Sequence, residues 1–260
     1  MINVVDRVST YPGRVKLTKA NGTSEYVTWE RADQPTVEGT PINKALFDSI
    51  AADMGLSSAV TVYVSKSGSD TLGNGTSANP YLTITKAIST LPKNLNGFGA
   101  TINIAAGTYN ETARFEHFYG GVIAINGVSG AGITITGLNI QNCAVLVNVI
   151  ALTVGSAGIF IGTRGMLYCA TATITVTGAP EAVILRYGAL VEITTTLTIN
   201  NATTRAVQVQ YASTFSVATL AGTGNSVGIY AYNSSVYVSK STISATTPTI
   251  NDNATMSIRT

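Results

Sequence analysis

Charged side chains are scarce in this 260-residue chain: they make up 11% of the residues and leave a net charge of only +2. No cluster of Lys and Arg is interleaved with aromatic residues, so the sequence does not predict a nucleic-acid surface. No run of 18 apolar residues is present, and we expect no membrane insertion. The N-terminus lacks the basic start, apolar stretch and small-residue cleavage site of a secretion signal. We therefore expect synthesis in the cytoplasm without a signal peptide.

Residues that hold metals and cofactors are also few. The only cysteines, Cys143 and Cys169, could stack in neighbouring turns of a repeat. We interpret them as small buried hydrophobes, with a disulfide or a ligand pair as the alternative. The single histidine, His117, completes no familiar metal-site spacing with them. Asp70 and Asn74 could hold a cation, but hydrogen bonds within their own Gly/Ser/Asn turn account for them. We expect no cofactor and no metal.

The chain does contain a repeat. Three segments of alternating apolar residues recur at steps of 24 residues, at 159–162, 183–186 and 207–210. Two further columns keep steps of 22 to 24 residues, one through Leu152, Ile174, Leu197, Leu220 and Ile243 and one through Leu167, Val191, Phe215 and Tyr237. Each repeat thus holds three short strands. Fixed periods of this size indicate stacked coils that bury one continuous core.

The sequence therefore predicts an all-β fold, a single-stranded parallel β-helix with coils of about 23 residues and roughly seven coils in residues 100–260. Thr, Val, Ile and Gly dominate this region, and no 3.6-residue pattern competes. Within each segment alternate residues should point inward, as Ile159 and Ile161 do, while Phe160 points outward. At about 4.8 Å per coil, seven coils would form a stiff rod of about 30 to 35 Å.

Residues 1–58 are predicted to form a separate small α+β segment, because 13 of the 28 charged residues lie there. A strand pair around 14–17 and 24–29 would turn at Asn21-Gly22. A helix should begin after Thr40, with Pro41 in its first turn, and end at Gly55. So little apolar surface would be stabilised most readily by docking onto trimer mates or a larger particle.

Residues 59–99 lead into the β-helix. The first strand is predicted at 60–64, followed by a turn-rich loop and a short helix that caps the coil. Ile84, Ala87, Ile88 and Leu91 supply the apolar face of this helix, and Pro92 follows it. A buried strand should then begin at 100–104.

Several motifs in this region resemble the opening of the pectate-lyase-like, right-handed parallel β-helix superfamily. They are Tyr63-Val64-Ser65, Gly68-Ser69-Asp70, Gly73-Asn74-Gly75-Thr76, Asn79-Pro80-Tyr81-Leu82-Thr83-Ile84 and Ala106-Gly107-Thr108-Tyr109-Asn110-Glu111. The N-terminal segments 4–8, 11–15 and 38–44 resemble the leading part of tail fibres and tail spikes from phages and prophages. The candidate attachment residues are Arg7, Tyr11, Pro12, Arg14, Trp29, Pro41, Leu46 and Phe47.

The resemblance implies either a structural or adhesive shaft or a polysaccharide-cleaving enzyme. Glycoside hydrolysis needs two carboxyl groups about 5 to 10 Å apart, and lyases of this fold hold calcium with Asp and Glu. Between residues 121 and 250 there is no Asp, and the only Glu residues are Glu181 and Glu192. These should lie on different faces of one coil, so a catalytic pair would have to form between subunits or with Glu111 and Glu116. We expect no enzymatic activity, and we name no catalytic residue.

Glu181 has a structural role in this interpretation, since Arg205 follows 24 residues later in the same column. The two would form an exposed ladder ion pair worth about 0 to 1 kcal/mol.

The outward columns carry aromatic residues. One column is Phe160, Ile184, Gln208 and Tyr230, the next Gly162, Arg186, Gln210 and Tyr232, and the corner column Thr163, Tyr187, Tyr211 and Asn233. These residues could form a homotrimer interface, bind sugar rings through the aromatics and hydroxyls through Arg and Gln, or be an ordinary surface ladder.

We therefore expect a virion protein: a tail appendage that attaches by its N-terminus to other tail or baseplate proteins and presents a trimeric β-helix towards the host. The alternatives are a glycan-binding adhesin and a depolymerase.

Overall fold

The computed structural model describes residues 14–18, 24–28, 55–127, 132–148 and 151–259. The chain divides into two compact units, residues 1–54 and residues 55–260. In the first unit, strands β1 (Arg14–Thr18) and β2 (Ser24–Thr28) pair antiparallel, with Arg14 opposite Thr28. This confirms the predicted strand pair. The predicted turn at Asn21-Gly22 and the helix after Thr40 lie outside the described residues.

The second unit is a parallel β-helix of about seven coils, which confirms the predicted fold class. Its strands stack into three sheets, one for each side of the coil. Sheet A contains β3 (Val60–Val64), β4 (Ala100–Ile104), β6 (Val122–Gly127), β8 (Ala144–Asn148), β10 (Met166–Cys169), β17 (Thr255–Ile258) and the first parts of β13 (Leu190–Asn200), β15 (Thr214–Tyr232) and β16 (Ser235–Asp252).

Sheets B and C share several long strands that bend at the corner between them. Sheet B contains the first parts of β5 (Gly107–Glu116), β7 (Ile133–Gln141) and β9 (Ala151–Gly162), then β11 (Thr173–Thr177) and the middle parts of β13, β15 and β16. Sheet C contains the later parts of β5, β7 and β9, then β12 (Glu181–Leu185), β14 (Arg205–Gln210) and the last parts of β15 and β16.

Inward-pointing residues form continuous columns because each coil sets its apolar side chains on those of the coil before. Ile159 pairs in register with Val183, and Val183 with Val207. All three are at most 2% exposed. The predicted 24-residue register and the predicted alternation in sheet C are therefore confirmed. Phe215, which is fully buried, continues the sheet A column from Val191.

Two column assignments at the C-terminal end are wrong. Leu220 pairs with Ser241, and Ile243 instead lies beside Gly222. Phe215 pairs with Val236 rather than with Tyr237, which is 44% exposed. The cause is that the last coils are shorter than the earlier ones, so a constant period of 23 residues runs one or two positions too far.

The short helix α1 (Ile84–Ser89) lies over the first coil, as predicted, and its apolar face is buried. Two carboxylates fix its N-terminal end. Asp70 accepts hydrogen bonds from the backbone N–H groups of Leu82 (2.8 Å) and Thr83 (3.0 Å) and from the Thr83 hydroxyl. Glu111, in strand β5, accepts from the N–H groups of Ile84 (2.9 Å) and Thr85 (2.8 Å). The helix is thus tied both to its own loop and to the next coil.

These bonds change the acidity of Asp70. Burial alone would raise its pKa, but the hydrogen bonds from Thr83 and Leu82 and the charge of Lys86 outweigh burial and hold the pKa below its ordinary value. The sequence interpretation of this loop was correct for Asn74, whose Oδ1 accepts from the N–H and hydroxyl of Thr76. It was wrong for Asp70, which bonds residues 12 and 13 positions away.

Both cysteines are buried and free, which agrees with their interpretation as small hydrophobes. They do not stack, because Cys169 pairs with Val147 rather than with Cys143. The Cys143 thiol donates to the carbonyl of Phe115 (3.2 Å). Burial raises the pKa of this thiol to about 11.

Candidate functional site

The outer side of sheet C, over strands β9, β12, β14 and the end of β15, carries most of the residues that the sequence singled out. Phe160, Ile184, Gln208 and Tyr230 pair in that order from coil to coil, and Gln210 pairs with Tyr232. We call the following set the tyrosine face: Phe160, Ile184, Arg186, Tyr187, Gln208, Gln210, Tyr211, Tyr230 and Tyr232. The predicted outward columns therefore come together on one surface.

A chain of polar contacts runs across the middle of the tyrosine face. Arg205 Nη1 donates to Glu181 Oε1 at 2.9 Å, which confirms the predicted ladder ion pair. The pair is less exposed than predicted, because the two side chains keep only 32% and 30% of their exposure. Arg186 Nε donates to Gln210 Oε1 at 3.1 Å. The amide of Gln208 joins the two halves: in one orientation its nitrogen donates to Glu181 Oε1 (2.7 Å) and its oxygen accepts from Arg186 Nη2 (3.0 Å). The cluster thus holds one carboxylate and two guanidinium groups and is net positive.

Gln208 is only 3% exposed although it points outward. The neighbouring polar side chains cover it from both sides, which period-2 alternation alone could not show. The Arg205 guanidinium lies 4.7 Å from the centre of the Tyr230 ring, within cation–π range. Arg205 therefore connects the ion pair to the aromatic part of the face, and sequence reasoning did not include it among the candidate site residues.

The Phe160 ring lies against a glycine. A Cβ added at Gly162 would fall 2.7 Å from this ring, so the ring occupies space that a side chain at position 162 would need. The second outward column thus begins with a gap that Phe160 fills. A larger residue at position 162 would displace the ring towards solvent.

Two tyrosines at the corner after sheet C have an unusual backbone conformation. Tyr187 and Tyr211 have φ of +62° and +56°, in the left-handed region. Other coils place His117, Asn142 and Asn233 at this corner, with φ of +60°, +51° and +43°. Asparagine tolerates that conformation, whereas for most L-residues it costs about 1 to 2 kcal/mol. The tyrosines therefore occupy strained positions.

Burial within the chain does not explain this strain. Tyr187 is 56% exposed and Tyr211 is 40% exposed. Their rings stack on one another, with centroids 5.0 Å apart and planes 5° from parallel, and Tyr232 meets Tyr211 edge-on at 5.7 Å. Such pairs contribute about 0.5 to 1.5 kcal/mol, which roughly offsets the strain of one residue. The outcome is a rigid aromatic ladder open to solvent beside Arg186.

The four glutamates considered as catalytic candidates lie on different sheets or bond other residues. Glu181 belongs to sheet C and Glu192 to sheet A, so they lie on different faces, as predicted. Glu111 bonds the end of α1, and Glu116 lies 3.7 Å from Arg114. In the part of the chain that the structure describes, no three His, Cys, Asp or Glu side chains are grouped so that they could hold a metal ion. No described helix has the length and apolar character needed to cross a membrane.

The predicted attachment residues are almost all outside the described residues. Arg14 begins strand β1. Arg7, Tyr11, Pro12, Trp29, Pro41, Leu46 and Phe47 lie outside them, so their assignment stays a prediction.

Sequence reasoning missed a second outward surface, on sheet A. Two columns of apolar side chains lie next to each other there, and we call them the sheet A patch: Val122, Ala144, Met166 and Leu190 in one column, Leu146 and Tyr168 in the other. Val122 is 43% exposed and Met166 37%. The signal is present in the sequence as apolar residues at the outward positions of strands β6, β8, β10 and β13.

No protein-family model, curated protein or solved structure matches the chain.

Proposed function

We propose that this protein is a structural tail appendage, a tail fibre or tail spike of a phage or phage-like particle. In this proposal the N-terminal segment attaches to other tail or baseplate proteins, and three β-helices together form the shaft that faces the host. The protein would be made in the host cytoplasm and be located in the virion tail. The observation that supports this function best is the uninterrupted stack of about seven coils, preceded by a separate compact unit.

The stack suits a mechanical role for a physical reason. Each strand in its interior pairs with a strand before and after it, so few backbone groups are left for a protease or another chain to bind. The core columns are almost free of polar atoms, and the fully buried side chains include Phe115, Ile140 and Leu138. Nearest-neighbour stacking of this kind gives a stiff rod whose stability grows with each coil.

The test is incorporation into particles. Particles from cells that carry the full chain should contain it in the density-gradient fraction of assembled tails, as measured by mass spectrometry. A chain that lacks residues 1–54 should be absent from this fraction while residues 55–260 remain folded in the cytoplasm. Incorporation of the shortened chain would remove the attachment role of the N-terminal segment. Absence of the full chain from particles would contradict the proposal.

One observation favours glycan binding as a second function: the strained, exposed tyrosine ladder beside Arg186. Strained backbone persists where a function selects it, and flat aromatic side chains next to hydrogen-bonding groups are what a sugar-binding face requires. The net positive charge of the neighbouring cluster would favour an anionic glycan. On a glycan array, Tyr187→Ala should lose signal, whereas Tyr237→Ala, which removes a 44% exposed tyrosine on sheet A, should keep it. Equal signals from both variants would exclude the tyrosine face as the glycan-binding site.

A polysaccharide depolymerase is the least supported alternative. A glycosidase would need two free carboxyl groups about 5 to 10 Å apart, and the described carboxylates of sheets A and C are separated or hydrogen-bonded. Release of shortened glycan by the purified protein, lost on Glu181→Gln, would establish this alternative.

A further inference from the structure

We propose that the sheet A patch is the surface through which copies of this chain associate. The patch is apolar over four consecutive coils, from Val122 through Ala144 and Met166 to Leu190. In the second column Leu146 pairs with Tyr168, whose hydroxyl lies 3.5 Å from the Met166 sulfur. Contiguous apolar surface of this kind on the outside of a protein marks a contact with another molecule. The inference adds a surface to the proposed trimeric shaft and rests on that proposal only for the number of copies.

The boundaries of the patch are polar. Along the second column the next residue is Glu192, which pairs with Tyr168, and along the first column it is Thr214, which pairs with Leu190. Asn126 and Asn148 form the neighbouring outward column. An apolar centre within a polar rim is the composition of a protein interface.

The partner must dock by side chains. Strands β8 and β10 are hydrogen-bonded to a neighbour on both sides, so the patch offers no free edge to which a strand could be added. What it offers is a set of ridges that repeat at the strand spacing of about 4.8 Å. A second β-helix lying alongside has ridges at the same spacing and can interdigitate with them over all four coils.

Charge also favours a second copy over a different partner. The six side chains of the patch are uncharged, and Glu192 in its second column lies at its border, so the patch centres of two copies can meet without like-charge repulsion. A charged partner surface would instead lose its water against apolar side chains without gaining an ion pair. This chain, with 11% charged residues, itself supplies such an uncharged surface, and every copy carries it at the same height along the axis.

The experiment measures the mass of the full-length chain by analytical ultracentrifugation between about 1 and 100 μM. The wild type should associate, and Met166→Glu should raise its dissociation constant at least about tenfold, because a buried unpaired carboxylate is costly. Thr255→Glu is the matched control, since Thr255 lies in the same outward column in the last coil. It should leave association unchanged. Circular dichroism and thermal unfolding of all three proteins establish that they are folded.

A second measurement does not depend on the charged variant. Met166→Cys should form an intermolecular disulfide under mild oxidation, because both native cysteines are buried. Thr175→Cys on the outer side of sheet B should not.

If the wild type associates but neither Met166 variant alters the mass or forms a cross-link, the patch is not the interface, although the tail role can still hold. Cross-linking of Met166→Cys within one chain, to a cysteine introduced in residues 1–54, would instead assign the patch to that segment and overturn the inference. A wild type that stays monomeric at 100 μM would contradict both this inference and the trimeric shaft, whereas incorporation into particles tests the tail role separately.

Discussion

The helix α1 is held on the first coil by a carboxylate from the following coil, and removing that carboxylate should release the helix locally. In Glu111→Ala the N–H groups of Ile84 and Thr85 and the Thr85 hydroxyl lose their acceptor. Hydrogen bonds to a charged group contribute about 1.5 to 3 kcal/mol each when buried, and less here because Thr85 is exposed. A negative charge at a helix N-terminus adds about 0.3 to 1 kcal/mol. We expect a total loss of about 2 to 3 kcal/mol.

This loss should appear as faster opening of α1, because each coil of a repeat protein depends mainly on its neighbours. Hydrogen exchange measured by mass spectrometry should show that peptides covering α1 lose protection about 30- to 150-fold. Peptides from strands β11 to β14 should be unaffected.

Glu116→Ala is the matched control from the same strand. Glu116 lies 3.7 Å from Arg114, whose side chain is 62% exposed, so this pair is worth about 0 to 1 kcal/mol. If the two variants changed the exchange of α1 equally, or if Glu111→Ala changed nothing, the carboxylate would not hold the helix.

Three further outcomes follow from the structure. Because the folded-state pKa of Asp70 is lowered, its stabilising effect is present above the unfolded-state pKa of about 3.9 and is lost as the pH falls through the lower folded value. The thermal midpoint of Asp70→Asn should thus approach that of the wild type below about pH 4, and a constant difference down to pH 2 would contradict this. With a pKa of about 11, Cys143 should react with a thiol reagent at pH 8 at least about 100-fold more slowly than a free cysteine; equal rates by peptide mass spectrometry would show that the thiol is accessible. Replacing Tyr187 and Tyr211 together by Asn relieves two strained residues and removes both the ring stack and the edge-on contact with Tyr232. Calorimetry should therefore show unchanged stability or a gain of about 1 kcal/mol, and a loss above about 1 kcal/mol would show that the two residues are not strained.

Most of the fold could be predicted because the register of a β-helix appears in its sequence as a repeat of apolar residues. Ile159, Val183 and Val207 stack in register because each must cover the apolar side chain of the coil before it, and this requirement appears as a constant step of 24 residues. The prediction failed at Ile243 and Tyr237, where the coils shorten. A coil can lose a residue at a turn without any change in its apolar strands, so the period alone does not locate the loss.

The candidate site could be predicted only in part. The columns of Phe160 and Tyr187 follow from register, and so does the Glu181–Arg205 pair. The left-handed backbone at Tyr187 does not follow from register, because it depends on how the chain turns at the corner. The burial of Gln208 does not follow either, because it depends on which neighbouring side chains cover it. The sheet A patch was accessible to the same column argument, since Met166 and Leu190 are outward positions of predicted strands.

The central claim is that this β-helix is the shaft of a tail appendage, and the most direct test is its position on the particle. Electron microscopy with gold-labelled antibody raised against residues 55–260 should place the label at the tail tip of particles from cells that carry this gene, and not on the head. Label on no particle, with the protein remaining free in the cytoplasm, would contradict the account.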